Sequence, residues 1–159
     1  MLSFRKLIFG VLFLISACGF SPIYTNSNSA NLNGQISIQE PNTQNDFVFY
    51  SRLTDRFGEA SGKYILNYAI TTAKEDKAIN FDGTVHRVEI SGFVTFSLKD
   101  TANGVQIFSD KEELYLSYSN FGSTAAVLNA ERTTNEQLVV LLADKVADRI
   151  SLILVDQNS

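Results

Sequence analysis

Three stretches of alternating polar and apolar residues, joined by two turn signals, constrain this 159-residue chain more than any other feature. The alternation begins at Lys63, is interrupted by a charged segment that closes with Asp82-Gly83, and resumes over residues 84–99. After Asn103-Gly104 it runs on over residues 105–118. A period of two is that of a strand with one buried face, and Asp-Gly and Asn-Gly are hairpin turn sequences. The pattern therefore predicts three antiparallel strands in a meander.

The alternation also assigns the faces of the predicted strands. On the first strand the apolar face carries Tyr64, Leu66, Tyr68 and Ile70. On the second strand Val88, Ile90, Val94, Phe96 and Leu98 share the apolar face, and the opposite face carries Arg87, Glu89, Ser91, Thr95 and Ser97. On the third strand the apolar parity flips between Ile107 and Leu114, which predicts a β-bulge within residues 109–113.

Helical periodicity lies on both sides of the meander. Over residues 43–57 the residues Phe47, Tyr50, Leu53 or Thr54, and Phe57 recur at helical spacing, which predicts a core-facing stripe, and Asn42 or Thr43 is the expected cap. A longer helix, starting near Ala125 or Ala130, is predicted from a second stripe, and its polar positions are expected to face water. That stripe consists of Val139, Leu142, Val146, Ile150 and Ile153, widened by Leu138, Leu141 and Ala143, with Asp144, Lys145, Asp148 and Arg149 opposite.

A short alternating segment at residues 35–39 precedes the first helix and completes the order of elements. The prediction is one α+β domain over residues 35–156, in which two helices cover one face of a mainly antiparallel four-stranded sheet in the order β-α-β-β-β-α. The chain contains enough apolar residues for such a core, since 45% of its residues are hydrophobic.

The N-terminus has the order of a secretory signal. Arg5 and Lys6 precede an uncharged run over residues 7–15, which is too short to span a bilayer. The tetrapeptide Ile15-Ser16-Ala17-Cys18 resembles a bacterial lipobox. We therefore expect residues 1–17 to be removed, Cys18 to be lipidated, and residues 18–34, rich in Asn and Ser, to form a tether. The alternatives are an ordinary signal peptide with an incidental cysteine and a short anchor helix.

Lipidation gives the only cysteine of the chain a role, because a free thiol is unusual in an oxidising compartment. Two or more acyl chains anchor a protein stably to a membrane. The residue after Cys18 is Gly19 and not the aspartate that commonly signals inner-membrane retention. By resemblance to that sorting pattern, the expected location is the periplasmic face of an outer membrane.

Charge and motif content argue against several classes of function. Removing residues 1–17, with Arg5 and Lys6, changes the formal net charge from −4 to −6, which disfavours nucleic acid as a partner. His86 is the only histidine and Cys18 the only cysteine, so no paired ligands for a metal are available from these residue types. Nucleophile-elbow, phosphate-loop and zinc-protease motifs are missing. We expect a non-enzyme without a cofactor.

The segment Ala17-Cys18-Gly19-Phe20-Ser21-Pro22-Ile23-Tyr24 resembles the start of mature proteins of the LptE family, the lipopolysaccharide-assembly lipoproteins. The order of later segments is similar to that family as well and covers nearly the whole mature chain. Those segments are Thr84-Val85-His86-Arg87, Phe96-Ser97-Leu98-Lys99-Asp100, Ser117-Tyr118, Ala130-Glu131-Arg132, Leu142-Ala143-Asp144 and Arg149-Ile150.

The resemblance implies a plug for a large outer-membrane β-barrel of the LptD type, which the protein would help to assemble, and a contact with lipopolysaccharide. By the same resemblance Arg87 and Lys111 are the candidate lipopolysaccharide-binding residues, with a solvated strand position as the alternative for each. A second reading is the auxiliary lipoprotein of an ABC-type lipid transport system. A secreted or lipid-anchored enzyme is the third, for which no catalytic constellation is found.

Overall fold

A computed structural model of the chain describes residues 32–59, 62–79 and 85–156. The predicted signal peptide, Cys18 and most of the predicted tether lie outside the described residues, as does the tip of the first hairpin. The described elements are β1 (Ile36–Ile38), α1 (Gln44–Phe57), β2 (Tyr64–Ile79), β3 (Val85–Asp100), β4 (Gln106–Ser119) and α2 (Thr124–Asp156).

The four strands form one sheet in the order β1-β2-β3-β4. β2, β3 and β4 are antiparallel neighbours, whereas β1 pairs in parallel with β2, so the sheet is mixed. The predicted α+β class and the order β-α-β-β-β-α are confirmed. The parallel pair follows from α1, which connects β1 to β2 as a crossover.

The core lies between one face of the sheet and the two helices, and we call this face of the sheet the inner face. The predicted apolar residues of β2 and β3 lie on it and are buried, Ile70 being half-buried. From α2 the buried residues are Leu138, Val139, Leu142, Ala143, Val146, Ala147, Ile150 and Leu154. Leu141, which we expected to widen this stripe, is exposed.

The stripe predicted for α1 is wrong at Phe47, whose side chain is 65% exposed. The residues that α1 buries are Phe49, Leu53 and Phe57, which are four residues apart and therefore share one face. The prediction is correct at Leu53 and Phe57, which belong to both of the overlapping apolar stripes in this segment. Spacing alone did not decide between Phe47 and Phe49. The cap is Thr43, which accepts a hydrogen bond from the Asp46 backbone N–H in a capping box.

The predicted bulge at residues 109–113 is also wrong. β4 pairs with β3 without interruption from Phe108 to Ser119, and the register shift falls earlier, where Leu98 pairs with Phe108 and Lys99 with Gln106. Asp110 and Glu112 therefore stay on the inner face of the sheet. The apolar parity changes because these two carboxylates form ion pairs with α2, as described below.

The strands and α2 give the domain a long axis. A helix of 33 residues is about 50 Å long. Leu32 is buried and the Gly34 backbone N–H donates to the Phe57 carbonyl, so the chain enters the domain beside the C-terminal end of α1. In the described part of the chain, no helix combines the length and apolarity needed to cross a bilayer.

Candidate functional site

The outer face of the sheet, opposite the helices, is a broad surface that the described elements of the domain leave uncovered. Its side chains are those of odd-numbered residues on all three long strands. Nine of them are small or carry hydroxyl groups, and charged residues make up much of the rest. The nine are Ala69, Thr71, Ala73, Ser91, Thr95, Ser97, Ser109, Ser117 and Ser119. Such a surface offers many hydrogen-bonding groups and few large apolar ones.

Three larger apolar side chains interrupt the outer face. Phe93, Tyr115 and Ile65 are each exposed by a third or more. Phe93 lies directly between Thr71 and Glu113 on the neighbouring strands. Isolated apolar side chains within a polar surface give local contacts to a partner without forming an extended hydrophobic patch.

Both predicted lipopolysaccharide-binding residues lie on this outer face and are exposed. They do not form one site. Arg87 pairs across the ladder with Ser119, whereas Lys111 pairs with Thr95, eight residues further along β3. At about 3.4 Å per residue this separation is roughly 27 Å along the sheet. The two cations would therefore contact different groups of any ligand.

Several cations of the helix layer form ion pairs within the fold, as Lys77 beside the outer face does with Glu75 and Glu89. Arg52 forms a bidentate pair with Asp144 of α2, at 2.9 Å and 3.0 Å. Lys145 Nζ lies 3.2 Å from Glu112 Oε2 of β4. Arg149 Nε lies 3.0 Å from Asp110 Oδ2 of the same strand. Lys145, Asp148 and Arg149 are exposed to water, as expected, and Asp144 is half-buried. The same four residues also connect α2 to α1 and β4 through their ion pairs.

Among the described residues, Arg87, Lys99 and Lys111 form no ion pair, and all three lie on the outer face. Lys99 was missed as a candidate, although it has the same parity as Arg87 on an uninterrupted strand and so could have been assigned to this face from the alternation. It is four residues from Thr95, the partner of Lys111, or about 14 Å from Lys111. Lys99 and Lys111 are thus the closer pair.

A polar cluster lies where β2 extends beyond α1. Lys74 Nζ is 2.6 Å from Glu131 Oε1, and the Tyr118 hydroxyl donates to Glu131 Oε2 at 3.2 Å. The hydrogen bond from Lys74 holds the pKa of Glu131 below its ordinary value, and burial raises the pKa of Tyr118. These groups satisfy one another, and they connect β2, β4 and α2.

A shallow groove of about 800 Å³ follows the outer side of α1. Phe47, Val48 and Val140 supply its apolar surface, and Arg52 lies at one end with its guanidinium held by Asp144. The α1 N-terminus at the other end is already capped by Thr43 and Asp46. Asp55, exposed at the groove, forms no ion pair with another described residue, so the unpaired charge that the groove offers is a carboxylate.

His86 stacks on the Phe121 ring, with centroids 6.1 Å apart and planes at 23°. Within residues 32–59, 62–79 and 85–156, no three His, Cys, Asp or Glu side chains are grouped closely enough to hold a metal ion. What the described surface offers is an extended polar sheet face with unpaired cations at separate positions. Such a face suits contact with a large partner.

No family model matches the chain, and no curated protein matches it. Solved structures share its fold. A crystal structure described as that of a lipoprotein from Caulobacter crescentus CB15 gives a TM-score of 0.66 at 16% identity, covering 82% of this chain and 97% of that one. Rare lipoprotein B from Shewanella oneidensis gives 0.62 at 14% identity, covering 79% and 98%.

A minor lipoprotein from Acinetobacter baumannii gives a TM-score of 0.60 at 18% identity, covering 75% of this chain and 91% of that one. At such identities the likeness shows the fold alone. The chain therefore has an α+β fold that occurs in lipoproteins from several bacteria, and the match covers nearly the whole of each of those chains.

Proposed function

We propose that this protein is a non-enzymatic lipoprotein, anchored through Cys18 at the periplasmic face of the outer membrane. There it plugs and helps to assemble an LptD-like β-barrel that translocates lipopolysaccharide. It also assists delivery of lipopolysaccharide to the cell surface. The proposal rests on the LptE-like N-terminal octapeptide and on a fold shared with proteins described as lipoproteins.

The observation that carries the plug proposal is the outer face of the sheet. The interior wall of a large β-barrel is polar and wetted, so a domain that fills it needs a polar surface with many hydrogen-bonding groups. The outer face offers hydroxyl side chains along strands of up to 16 residues, and its own fold does not cover them. Phe93 and Tyr115 would add local apolar contacts to such a wall.

The proposed contact with lipopolysaccharide uses the cations of this same face. Phosphate groups form strong charge-assisted hydrogen bonds with Arg and Lys. Arg87 and Lys111 are free of ion pairs with other described residues, so binding a phosphate would break no bond of the fold. Lys99 belongs with Lys111 because of their closer spacing. Lys99 and Lys111 could contact the same ligand as a pair, whereas Arg87 would act separately because it lies far from both.

The alternative is the auxiliary lipoprotein of an ABC-type lipid transport system. The solved structures with this fold are described only as lipoproteins, and a fold by itself does not assign one of the two roles. The partner decides between them. A barrel partner supports the plug proposal, and a transporter subunit supports the alternative.

The direct test is affinity capture of the protein from envelopes solubilised in a mild detergent, followed by mass spectrometry. We expect a large β-barrel in near-stoichiometric amount. A matched capture after replacing Thr95 and Ser97 on the outer face by arginine should lose the barrel, whereas the helix-layer variant Arg132→Ala should retain it. Recovery of a transporter subunit without a barrel would reject the plug.

The lipid contact has its own test. Replacing Arg87 and Lys111 together by alanine should weaken binding of purified lipopolysaccharide, and adding Lys99→Ala should weaken it further. Arg132→Ala removes a cation from α2 and serves as the control for net charge. Circular dichroism checks that the variants are folded, and unchanged lipopolysaccharide binding by the triple variant would reject these residues as the site.

A further inference from the structure

The two edges of the sheet differ greatly in length. β1, at one edge, has three residues, whereas β4, at the other, has 14. β4 pairs with β3 on one side, and no described strand lies on its other side. It contains no proline, and its register shift is confined to its first residues. A long edge of this kind presents backbone donors and acceptors that can pair with another strand.

The charges of β4 do not protect this edge in the usual way. Asp110 and Glu112 lie on the inner face and are held by Arg149 and Lys145, as described above. On the outer face the charged residues of β4 are Lys111 and Glu113, which are of opposite sign and two residues apart. Their arrangement favours an antiparallel neighbour that carries the same two charges in reverse order.

Exposed leucines on α2 border the same edge. Leu141 is 43% exposed and Leu152 66% exposed. Leu141 and Leu152 stand four residues before and seven residues after Lys145, so all three share one stripe of the helix. Lys145 forms an ion pair with Glu112 of β4, so the stripe of α2 that contains Lys145 lies on the side of the helix layer nearest β4. Unpaired backbone and apolar side chains therefore occur together at one edge of the domain.

We propose that a second copy of this chain docks on this edge, with the two β4 strands antiparallel and paired about Glu112. Residues that face each other across a ladder must lie on the same face, so the sum of their numbers must be even. Centring on Glu112 pairs 13 of the 14 residues and sets Lys111 opposite Glu113 of the second copy twice. It also places the two Glu112 side chains opposite each other, each of them paired with Lys145 of its own copy. Centring on Glu113 instead sets two unpaired carboxylates against each other and places Lys111 opposite Tyr115.

The helix layer fits the same symmetry. A two-fold axis perpendicular to the sheet keeps both helix layers on one side and makes the two α2 helices antiparallel neighbours. Leu141 lies about 6 Å before the level of Lys145, and Leu152 about 10.5 Å after it. If the two-fold axis passes near Lys145, Leu141 of one copy lies beside Leu152 of the other copy. Their positions along the helix axis then differ by about 5 Å. This inference does not depend on the barrel or on lipopolysaccharide.

Sedimentation equilibrium of the purified full-length protein, in a detergent matched in density to the buffer, tests the pairing. We expect the mass of a dimer. Lys111→Glu places like charges opposite each other at two positions and should weaken association about tenfold, while Lys111→Glu with Glu113→Lys should restore it to within about threefold. Lys99→Glu, on β3 and away from the edge, is the control and should leave association unchanged.

Leu152→Glu provides an independent variant, since this side chain is exposed and the fold tolerates the change. It should weaken dimerisation as strongly as Lys111→Glu. The proposal is overturned if the parent protein is a monomer at all concentrations. It is also overturned if neither Lys111→Glu nor Leu152→Glu weakens dimerisation. If Lys111→Glu with Glu113→Lys loses as much association as Lys111→Glu alone, the proposed register about Glu112 is wrong.

Discussion

The inner and outer faces of the same three strands differ in how they use their side chains. On the inner face apolar residues pack against both helices, and Lys74, Asp110 and Glu112 form ion pairs with α2. On the outer face hydroxyl and charged side chains predominate, and three cations form no ion pair with another described residue. The comparison indicates that the inner face stabilises the domain, whereas the outer face is available for contacts with other molecules.

Two phenylalanines on β3 offer the sharpest comparison of the faces. Phe96 is 2% exposed on the inner face, and Phe93 is 40% exposed on the outer face. Phe96→Ala should lower the free energy of unfolding by about 3–5 kcal/mol through the cavity it leaves, while Phe93→Ala should cost less than about 1 kcal/mol. Urea denaturation measures both. Equal losses would contradict the division of roles between the faces.

Gly92 tests how closely the inner face is packed. A Cβ atom at this position would lie 2.7 Å from Leu138 Cδ2 and 2.9 Å from Leu142 Cδ1. Gly92→Ala forces α2 side chains to move and should destabilise the domain by about 1–3 kcal/mol. The neighbouring outer-face variant Ser91→Ala is the matched control in thermal unfolding. A neutral Gly92→Ala would show that α2 lies less tightly on the sheet than described.

The cations of the two faces should also differ in their effect on stability. Arg52 is partly buried beside Asp144, with side-chain exposures of 38% and 25%. A double-mutant cycle on this pair should give a measurable favourable coupling, whereas Arg87→Ala on the outer face should leave the free energy of unfolding unchanged within error. A larger loss for Arg87→Ala would mean that the fold itself uses this residue.

The polar cluster at Glu131 predicts a small dependence of stability on pH. Lys74 lowers the pKa of Glu131 in the folded protein, so the contribution of this carboxylate is present above its ordinary value of 4.5 and is lost as the pH falls through the lowered value. Below about pH 4.5 the parent should therefore lose more stability than Glu131→Gln or Lys74→Met. Identical pH profiles in urea denaturation would contradict the assigned pairing.

The sheet and its faces were predictable because alternation over long strands reports burial directly. The choice between two aromatic stripes in α1 was not, since Phe47 and Phe49 both recur toward Phe57 and only the tertiary packing selects Phe49. The change of apolar parity in β4 led to the wrong prediction of a bulge for a related reason. Asp110 and Glu112 occupy inner positions because cations of α2 reach them, and a sequence pattern does not reveal partners more than 30 residues away.

The candidate site was predictable in part. Arg87 follows from the strand alternation, but its separation from Lys111 depends on the register of β3 and β4, which the misplaced bulge obscured. Lys99 gains significance only when the ion pairs of the other cations are known. Local pattern thus assigns a residue to a face, and the pairing of strands decides which residues of that face lie near one another.

Site-specific photocrosslinking tests most directly whether the outer face contacts the barrel. A photoreactive amino acid at Thr95, which is exposed between Ala69 and Lys111, is activated in intact envelopes, and the adducts are identified by mass spectrometry. We predict an adduct with a large outer-membrane β-barrel. Adducts with a transporter subunit, or none with any barrel from this position, would contradict the account.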